Sequence, residues 1–131
     1  MTTNYHNTFI TISPDSRATH GEQPAKPQSI ASLQLQLLLA RPYGYTSDEL
    51  LFAVHALRGA IADDQLEVER SAFFEKSKAC LRASPLVKQY GWGLHHDERG
   101  KVAAIAKESP AYQDFVLRKD LKIVAGMRSS R

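Results

Sequence analysis

Residues 92–107 read WGLHHDERGKVAAIAK, and this stretch decides the fold of the chain. Residues 92–96 and 101–107 are two short runs that suit extended strands. The four residues between them, 97–100, form a turn in which Gly100 can adopt a left-handed conformation at no steric cost. The stretch therefore predicts a β-hairpin.

A further strand is predicted near the N-terminus. Residues 6–13 are rich in β-branched and aromatic side chains, and Thr8, Ile10 and Ile12 share one face when the backbone is extended. Pro14 ends this run. The chain thus supplies at least three strands.

Helices are predicted between and after these strands. Ser29 can cap a helix over residues 29–40, where Leu, Gln and Ala favour helix despite a short alternating pattern. Thr46 and Glu49 form a capping box for a helix that ends near Gly59. A short helix is expected over residues 69–78.

The serine-proline pairs Ser84-Pro85 and Ser109-Pro110 open two more helices, and residues 121–127 suit one or two further amphipathic turns. Helices that do not alternate regularly with strands indicate the α+β class. The predicted architecture is a small antiparallel sheet, made of the N-terminal strand and the 92–107 hairpin, packed by four to five helices.

Length and composition bound the organisation of the chain. Its 131 residues, 43% apolar and 24% charged, predict one ordinary folded domain over 1–131. Segment 14–28, with three prolines and no apolar residue larger than alanine, is expected to be a mobile loop. No apolar run approaches the ~18 residues of a membrane span, so no membrane association is expected.

The basic character of the chain lies in its last sixteen residues. The net charge is +3, but residues 1–115 carry 12 Lys/Arg against 13 Asp/Glu, whereas residues 116–131 carry five against one. A basic tail can dock on nucleic acid or on an acidic partner. A loose, solvated tail over about 118–131 is the commoner case. Because aromatic residues are not interleaved with basic ones, nucleic acid is not favoured as a partner.

Cys80 is the only cysteine, so no internal disulfide can form. A reducing compartment fits this composition. Residues 1–15 lack the basic start and apolar run of a secretory signal. The expected location is therefore the cytoplasm.

The residues that suit chemistry concentrate between positions 80 and 97. Ser84 opens a helix whose free amides suit an anion, Arg82 precedes it, and His95 adds a titratable donor. The predicted function is a small binding module for an anionic molecule or a protein partner, and a homo-oligomer stays open. The candidate ligand-binding residues are Arg82, Ser84, Lys88, Tyr90, Trp92, His95 and Asp97.

A catalytic alternative remains open beside binding through this cluster or through the basic tail. A small hydrolase or transferase could use Cys80 or Ser84 as nucleophile with His95 as base. Against it, isolated cysteines are usually small buried groups, and Ser84 already suits a helix cap. Whether the protein is an enzyme is thus open, with binding favoured.

A metal or cofactor is not expected. On a strand, His95 and Asp97 point to one face and His96 to the other, so the triplet offers at most two ligands on one side. The recurrent spacings of metal-binding motifs are missing from the sequence.

Several segments together resemble a family of small bacterial proteins catalogued only as a domain of unknown function. The resemblance runs in order over nearly the whole chain. It implies a stand-alone single-domain protein and supplies no activity, cofactor or site residue. The segments that carry it are Asn7-Thr8-Phe9-Ile10, Tyr45-Thr46-Ser47-Asp48 with Leu51-Phe52, Cys80-Leu81-Arg82-Ala83-Ser84-Pro85-Leu86, Tyr90-Gly91-Trp92-Gly93 with His95, Gly100-Lys101-Val102-Ala103, and Met127-Arg128-Ser129.

Overall fold

The computed structural model describes residues 2–129, and over these residues the chain is an α+β domain with one four-stranded sheet. Short 3-10 turns occur at Asp63–Gln65 and Leu81–Ala83. The elements in chain order are β1 (Thr8–Thr11), α1 (Ile30–Ala40), α2 (Ser47–Gly59), α3 (Leu66–Glu75), α4 (Pro85–Lys88), β2 (Trp92–His96), β3 (Val102–Ala106), α5 (Pro110–Leu117) and β4 (Lys122–Ala125).

The predicted hairpin, β2 and β3, and the N-terminal strand β1 supply three of the four strands of the sheet, whose order is β3-β2-β1-β4. Strands β2 and β3 pair antiparallel, with His95 opposite Ala103. On the other side of β2 lies β1, which pairs antiparallel with β2 and has Phe9 opposite His95. His95 therefore lies in a central strand.

The sequence analysis did not predict the fourth strand, which lies in the segment expected to be a loose basic tail. Residues 122–125 form β4, which pairs in parallel with β1 and makes the sheet mixed. The predicted helical turns over 121–127 do not form. The strand has only four residues, two of them half-buried, so its alternation is too short to stand out in the sequence.

The predicted helix starts are confirmed by their caps. The Thr46 hydroxyl accepts from the Glu49 amide (3.2 Å), and the Glu49 carboxylate accepts from the Thr46 amide (2.8 Å), which completes the capping box. Ser29, Ser84 and Ser109 each cap the helix that follows. The helix expected over 69–78 spans 66–75, and α4 is a single turn.

The two faces of the sheet are covered by different helices. Trp92 and Leu94 of β2 join a core with residues of α1, α2 and α4. On the other face, Phe9 and Tyr112 pack with Leu121 under α5. Because successive side chains of a strand point to opposite faces, His95 belongs to the α5 face and His96 to the α1 face.

Segment 14–28 contains no helix or strand, as predicted, but it is tied to the sheet at one point. The Glu22 amide donates to the Tyr90 carbonyl (2.8 Å), and the Trp92 indole N–H donates to the Glu22 carbonyl (2.9 Å). The mobility of this loop stays a prediction. Among the described residues, no helix combines the length and apolar character needed to cross a membrane.

Candidate functional site

The sheet separates the residues predicted to form one site. Arg82 and Ser84 lie on the α1 face, beside Leu81 and Leu86 of the larger core. His95 lies on the α5 face, where its ring stacks on Phe115 with centroids 4.2 Å apart. A single pocket made of Arg82, Ser84 and His95 does not form, because the segment leading into α4 packs on one face of the sheet and His95 points to the other.

Arg82 and Ser84 are engaged in internal hydrogen bonds. The Arg82 Nε donates to the Ala125 carbonyl (2.7 Å), which ties the turn before α4 to the end of β4. The buried Ser84 hydroxyl accepts from the Leu86 amide (3.1 Å) and donates to Gln34 Oε1 (2.6 Å). The α4 start is thus closed by the protein's own groups.

The remaining predicted residues have separate positions. Trp92 and Tyr90 hold the 14–28 loop, as described above. Lys88 lies at an open surface depression of about 540 Å³ that Arg17 also lines. Asp97 Oδ1 accepts from the amides of Arg99 and Lys101 (both 2.9 Å) and so shapes the hairpin turn.

The proposed nucleophiles do not meet His95. The Tyr5 hydroxyl donates to the Cys80 sulfur (3.0 Å) on the α1 face. Burial, together with this contact, raises the pKa of Tyr5 to about 12, so Tyr5 stays protonated. The pairing of Cys80 or Ser84 with His95 is therefore not made.

His95 instead forms a pair with Tyr43. The Tyr43 hydroxyl lies 2.8 Å from His95 Nδ1, and the two rings meet edge to face. His95 is only 7% exposed, and its Nε2 has no hydrogen-bond partner among the described residues. Buried polar atoms without a partner are rare in native proteins and call for an explanation.

Burial and charge fix the protonation of this pair. Burial lowers the pKa of His95 below its ordinary value of 6.5, and the positive charge of Arg118 lowers the pKa further. Burial, with the negative charge of Asp97, raises the pKa of Tyr43. At neutral pH the pair consists of a neutral imidazole and a neutral phenol.

Arg118 completes a stack at this site. Its guanidinium carbon lies 5.5 Å from the centroid of the Phe115 ring, which itself stacks on His95. Asp120 accepts from Arg118 Nε (2.9 Å) and Nη2 (2.6 Å), so one edge of the guanidinium is held in place. These contacts hold the start of the segment that is expected to be a loose basic tail.

His95, Arg118 and Asp120 line one open depression of about 450 Å³ on the α5 side of the hairpin. Predicted residues His95 and Asp97 lie in it, and it is called the His95 depression below. Its lining residues are Asn7, His95, Asp97, Glu98, Arg99, Arg118, Asp120 and Leu121.

Two residues beside His95 have a left-handed backbone. Asn7 has φ 49°, which its short polar side chain tolerates, and Tyr43 has φ 58°. A bulky residue at positive φ is an outlier that costs about 1–3 kcal/mol and is found most often at functional sites. The Tyr43 amide donates to the Val102 carbonyl (2.9 Å), which holds this conformation.

Sequence reasoning missed Asn7, Tyr43, Arg118 and Asp120. Tyr43 lies in the turn Pro42-Tyr43-Gly44, which carries no chemical motif. Arg118 and Asp120 lie in the predicted tail. The Arg-x-Asp spacing was the one available signal, because it lets a carboxylate reach a guanidinium. Within the part of the chain that the structure describes, no three His, Cys, Asp or Glu side chains cluster as a metal site.

The fold and this depression define a small α+β domain with an open sheet and a polar site at one face of its central strand. The chain belongs to the family of unknown function DUF6157, whose family model matches residues 1–131. No curated protein and no solved structure is significantly similar to the chain.

Proposed function

We propose that the protein is a binding module for a small molecule that carries a carboxylate, and that the His95 depression is its site. The observation that carries this proposal is the buried Nε2 of His95, which has no partner and belongs to a ring that lines the depression. A buried polar atom left unpaired costs about 1–3 kcal/mol. A ligand oxygen at Nε2 would remove that cost.

The Tyr43–His95 contact prepares the ring for this role. When the Tyr43 hydroxyl donates to Nδ1, the ring proton lies on Nε2 and Nε2 becomes a donor. The raised pKa of Tyr43 keeps its hydroxyl protonated for this contact. The neutral imidazole thus offers a fixed N–H to an acceptor oxygen.

Arg118 supplies the positive charge. Asp120 occupies its Nε and Nη2, while Nη1 makes no hydrogen bond within residues 2–129. Guanidinium groups favour planar carboxylates, and an arginine held by a neighbouring acid loses less freedom on binding. His95 and Arg118 together suit one carboxylate.

The charges around the depression select against polyanions. Arg99 and Arg118 are accompanied by Asp97, Glu98 and Asp120, so carboxylates outnumber guanidiniums among the lining residues. A ligand with several negative charges would be repelled by these acids. We therefore favour a small molecule with one carboxylate over a nucleotide or polyphosphate.

The same geometry favours binding over catalysis. The lining residues include no Ser, Thr, Cys or Lys that could act as a nucleophile beside His95. We further infer a reducing compartment such as the bacterial cytoplasm, in keeping with the lone, half-buried Cys80.

Binding is expected to depend on Arg118 and not on its neighbour. Acetate, lactate, malate, citrate and inorganic phosphate are titrated into the protein by calorimetry. The monocarboxylates are expected to bind best. Arg118→Gln is expected to weaken them about 10- to 100-fold, the range for a lost charge-assisted hydrogen bond.

Lys119→Gln is the matched control, because Lys119 is exposed and lies outside the lining of the depression. It removes the same charge from the next position. Equal losses in the two variants would show that only net charge matters. Absence of binding by every anion in the panel would contradict the proposal.

A further inference from the structure

We propose that a second, apolar groove on the opposite side of the molecule binds a short- or medium-chain fatty acid. The groove lies between α1 and α2 and reaches the turn before α4. It has two lobes, of about 200 and 180 Å³, which share Ile30, Gln34 and Leu51 as lining residues. It is called the Gln34 groove below, and the proposal is independent of the His95 depression.

Gln34 is the polar group in the floor of this groove. It is 2% exposed, and its Oε1 accepts from Ser84, whose own oxygen accepts from the Leu86 amide. The Ser84 hydroxyl has one proton to donate, and we assign the end of the Gln34 amide that faces it as the oxygen. The other end, Nε2, donates no hydrogen bond within the described residues. Its two N–H groups are left for an acceptor in the groove.

The walls around Gln34 are apolar. One lobe is bounded by Val54 and Phe73, and the other by Leu81 and Pro85. Ile30, which both lobes share, is 43% exposed and so presents apolar surface to the groove. Apolar walls with few convergent polar groups are typical of small-molecule sites.

The charge at the groove favours an anion. Arg58, in the last turn of α2, lines the first lobe, and neither lobe is lined by Asp or Glu. His55 lies in the same lobe with its ring 4.7 Å from that of Phe73. A carboxylate head near Gln34 and Arg58, with its chain along the apolar walls, matches this arrangement.

The size of the groove sets the class of ligand. The volume of each lobe is below the ~300–1,000 Å³ that small-molecule pockets occupy, and the two lobes together reach the lower end of that range. That volume suits a single short acyl chain and excludes a phospholipid. Each methylene that enters the groove should raise affinity about fourfold, which corresponds to ~0.8 kcal/mol per buried CH₂.

The test is a chain-length series of butanoate, hexanoate and octanoate, measured by calorimetry on the full chain. Affinity is expected to rise about fourfold per methylene along the series. Ile30→Trp fills the groove and is expected to weaken octanoate more than tenfold. Leu39→Trp is the matched control, because Leu39 is on the same helix, is 46% exposed and lines neither lobe.

Arg58→Gln tests the orientation of the ligand. It is expected to weaken octanoate several-fold and to leave octan-1-ol unchanged, because the alcohol has no charge to lose. Arg118→Gln, at the His95 depression, should leave octanoate binding unchanged. This separates the two sites, so that either can fail alone.

Three results would overturn the proposal. They are no binding of octanoate at millimolar concentration, affinity that does not rise with chain length, and equal weakening by Ile30→Trp and Leu39→Trp. Circular dichroism of each variant establishes that the fold is retained.

Discussion

Replacing Gly91 with alanine is expected to destabilise the protein by about 3 kcal/mol. Gly91 has φ +75°, where a side chain costs about 1–2 kcal/mol. A Cβ there would also overlap the carbonyl oxygen of His20, where the 14–28 loop crosses the start of β2. Overpacking of this kind adds about 1–3 kcal/mol. Urea denaturation of the two proteins measures the difference.

Gly59→Ala is the control for this prediction. Gly59 is the last residue of α2, and a Cβ there meets only the Ile61 side chain, with Cγ1 at 3.4 Å and Cδ1 at 3.7 Å, which are ordinary contacts. No loss is expected, since alanine has the higher helix propensity, by up to about 1 kcal/mol. If Gly91→Ala were as stable as Gly59→Ala, the described crossing of loop and strand would be wrong.

Acid is expected to destabilise the protein through His96. This side chain is 0% exposed, and neither ring nitrogen has a partner among the described residues. Burial lowers the pKa of His96 from 6.5 to about 4. The charges of His95 and His6 lower it too, Asp97 opposes them, and Tyr5 packs against the ring.

The direction in which stability changes with pH follows from the number of protons that the folded and unfolded states bind. Above pH 6.5 His96 is neutral in both the folded and unfolded protein, and its contribution to stability is fully present. As the pH falls from 6.5 towards 4, the unfolded state binds a proton that the folded state does not. The free energy of unfolding should therefore fall by about 3 kcal/mol over this range.

His96→Leu is expected to remove most of this loss. Leucine has no group to protonate and leaves no buried nitrogen unpaired, so the variant should be at least as stable at pH 7. Urea denaturation between pH 7 and 4.5 provides the measurement. His55→Leu, at an exposed position on α2, is the matched histidine-to-leucine control. Equal slopes in wild type and His96→Leu would show that another group governs acid stability.

The elements with strong local signals were predictable from the sequence. The capping box at Thr46 and Glu49, the serine-proline pairs and the Gly100 turn each act within a few residues, so their local chemistry decides the structure. Strand β4 was not predictable in this way. Its pairing with β1 depends on residues more than a hundred positions away.

The site was only half predictable for the same reason. His95 and Asp97 were identified because reactive side chains are visible in any sequence. Tyr43 and Arg118 were not, because α5 and the turn before α2 bring them to His95 only in the folded chain. The predicted partners Arg82 and Ser84 lie elsewhere, because the turn before α4 packs on one face of the sheet and strand alternation points His95 to the other face.

The unpartnered nitrogen of Gln34 could not be predicted from the sequence either. In the sequence, Gln34 is one of two glutamines in an alternating run of leucines, and nothing there distinguishes it from Gln36. The structure separates them, since Gln36 donates to Ser32 (3.1 Å) while Gln34 is buried and held by Ser84. Burial and tertiary contacts, which the sequence does not encode locally, made this distinction.

The most direct test of the proposed carboxylate site is the state of the His95 imidazole, followed by nitrogen-15 NMR. In the free protein the ring should stay neutral and titrate below pH 6.5. With saturating ligand, the Nε2 resonance should shift and the pKa of His95 should rise, because a carboxylate stabilises the charged ring. An imidazole that shows no change with any carboxylate in the panel would contradict the account.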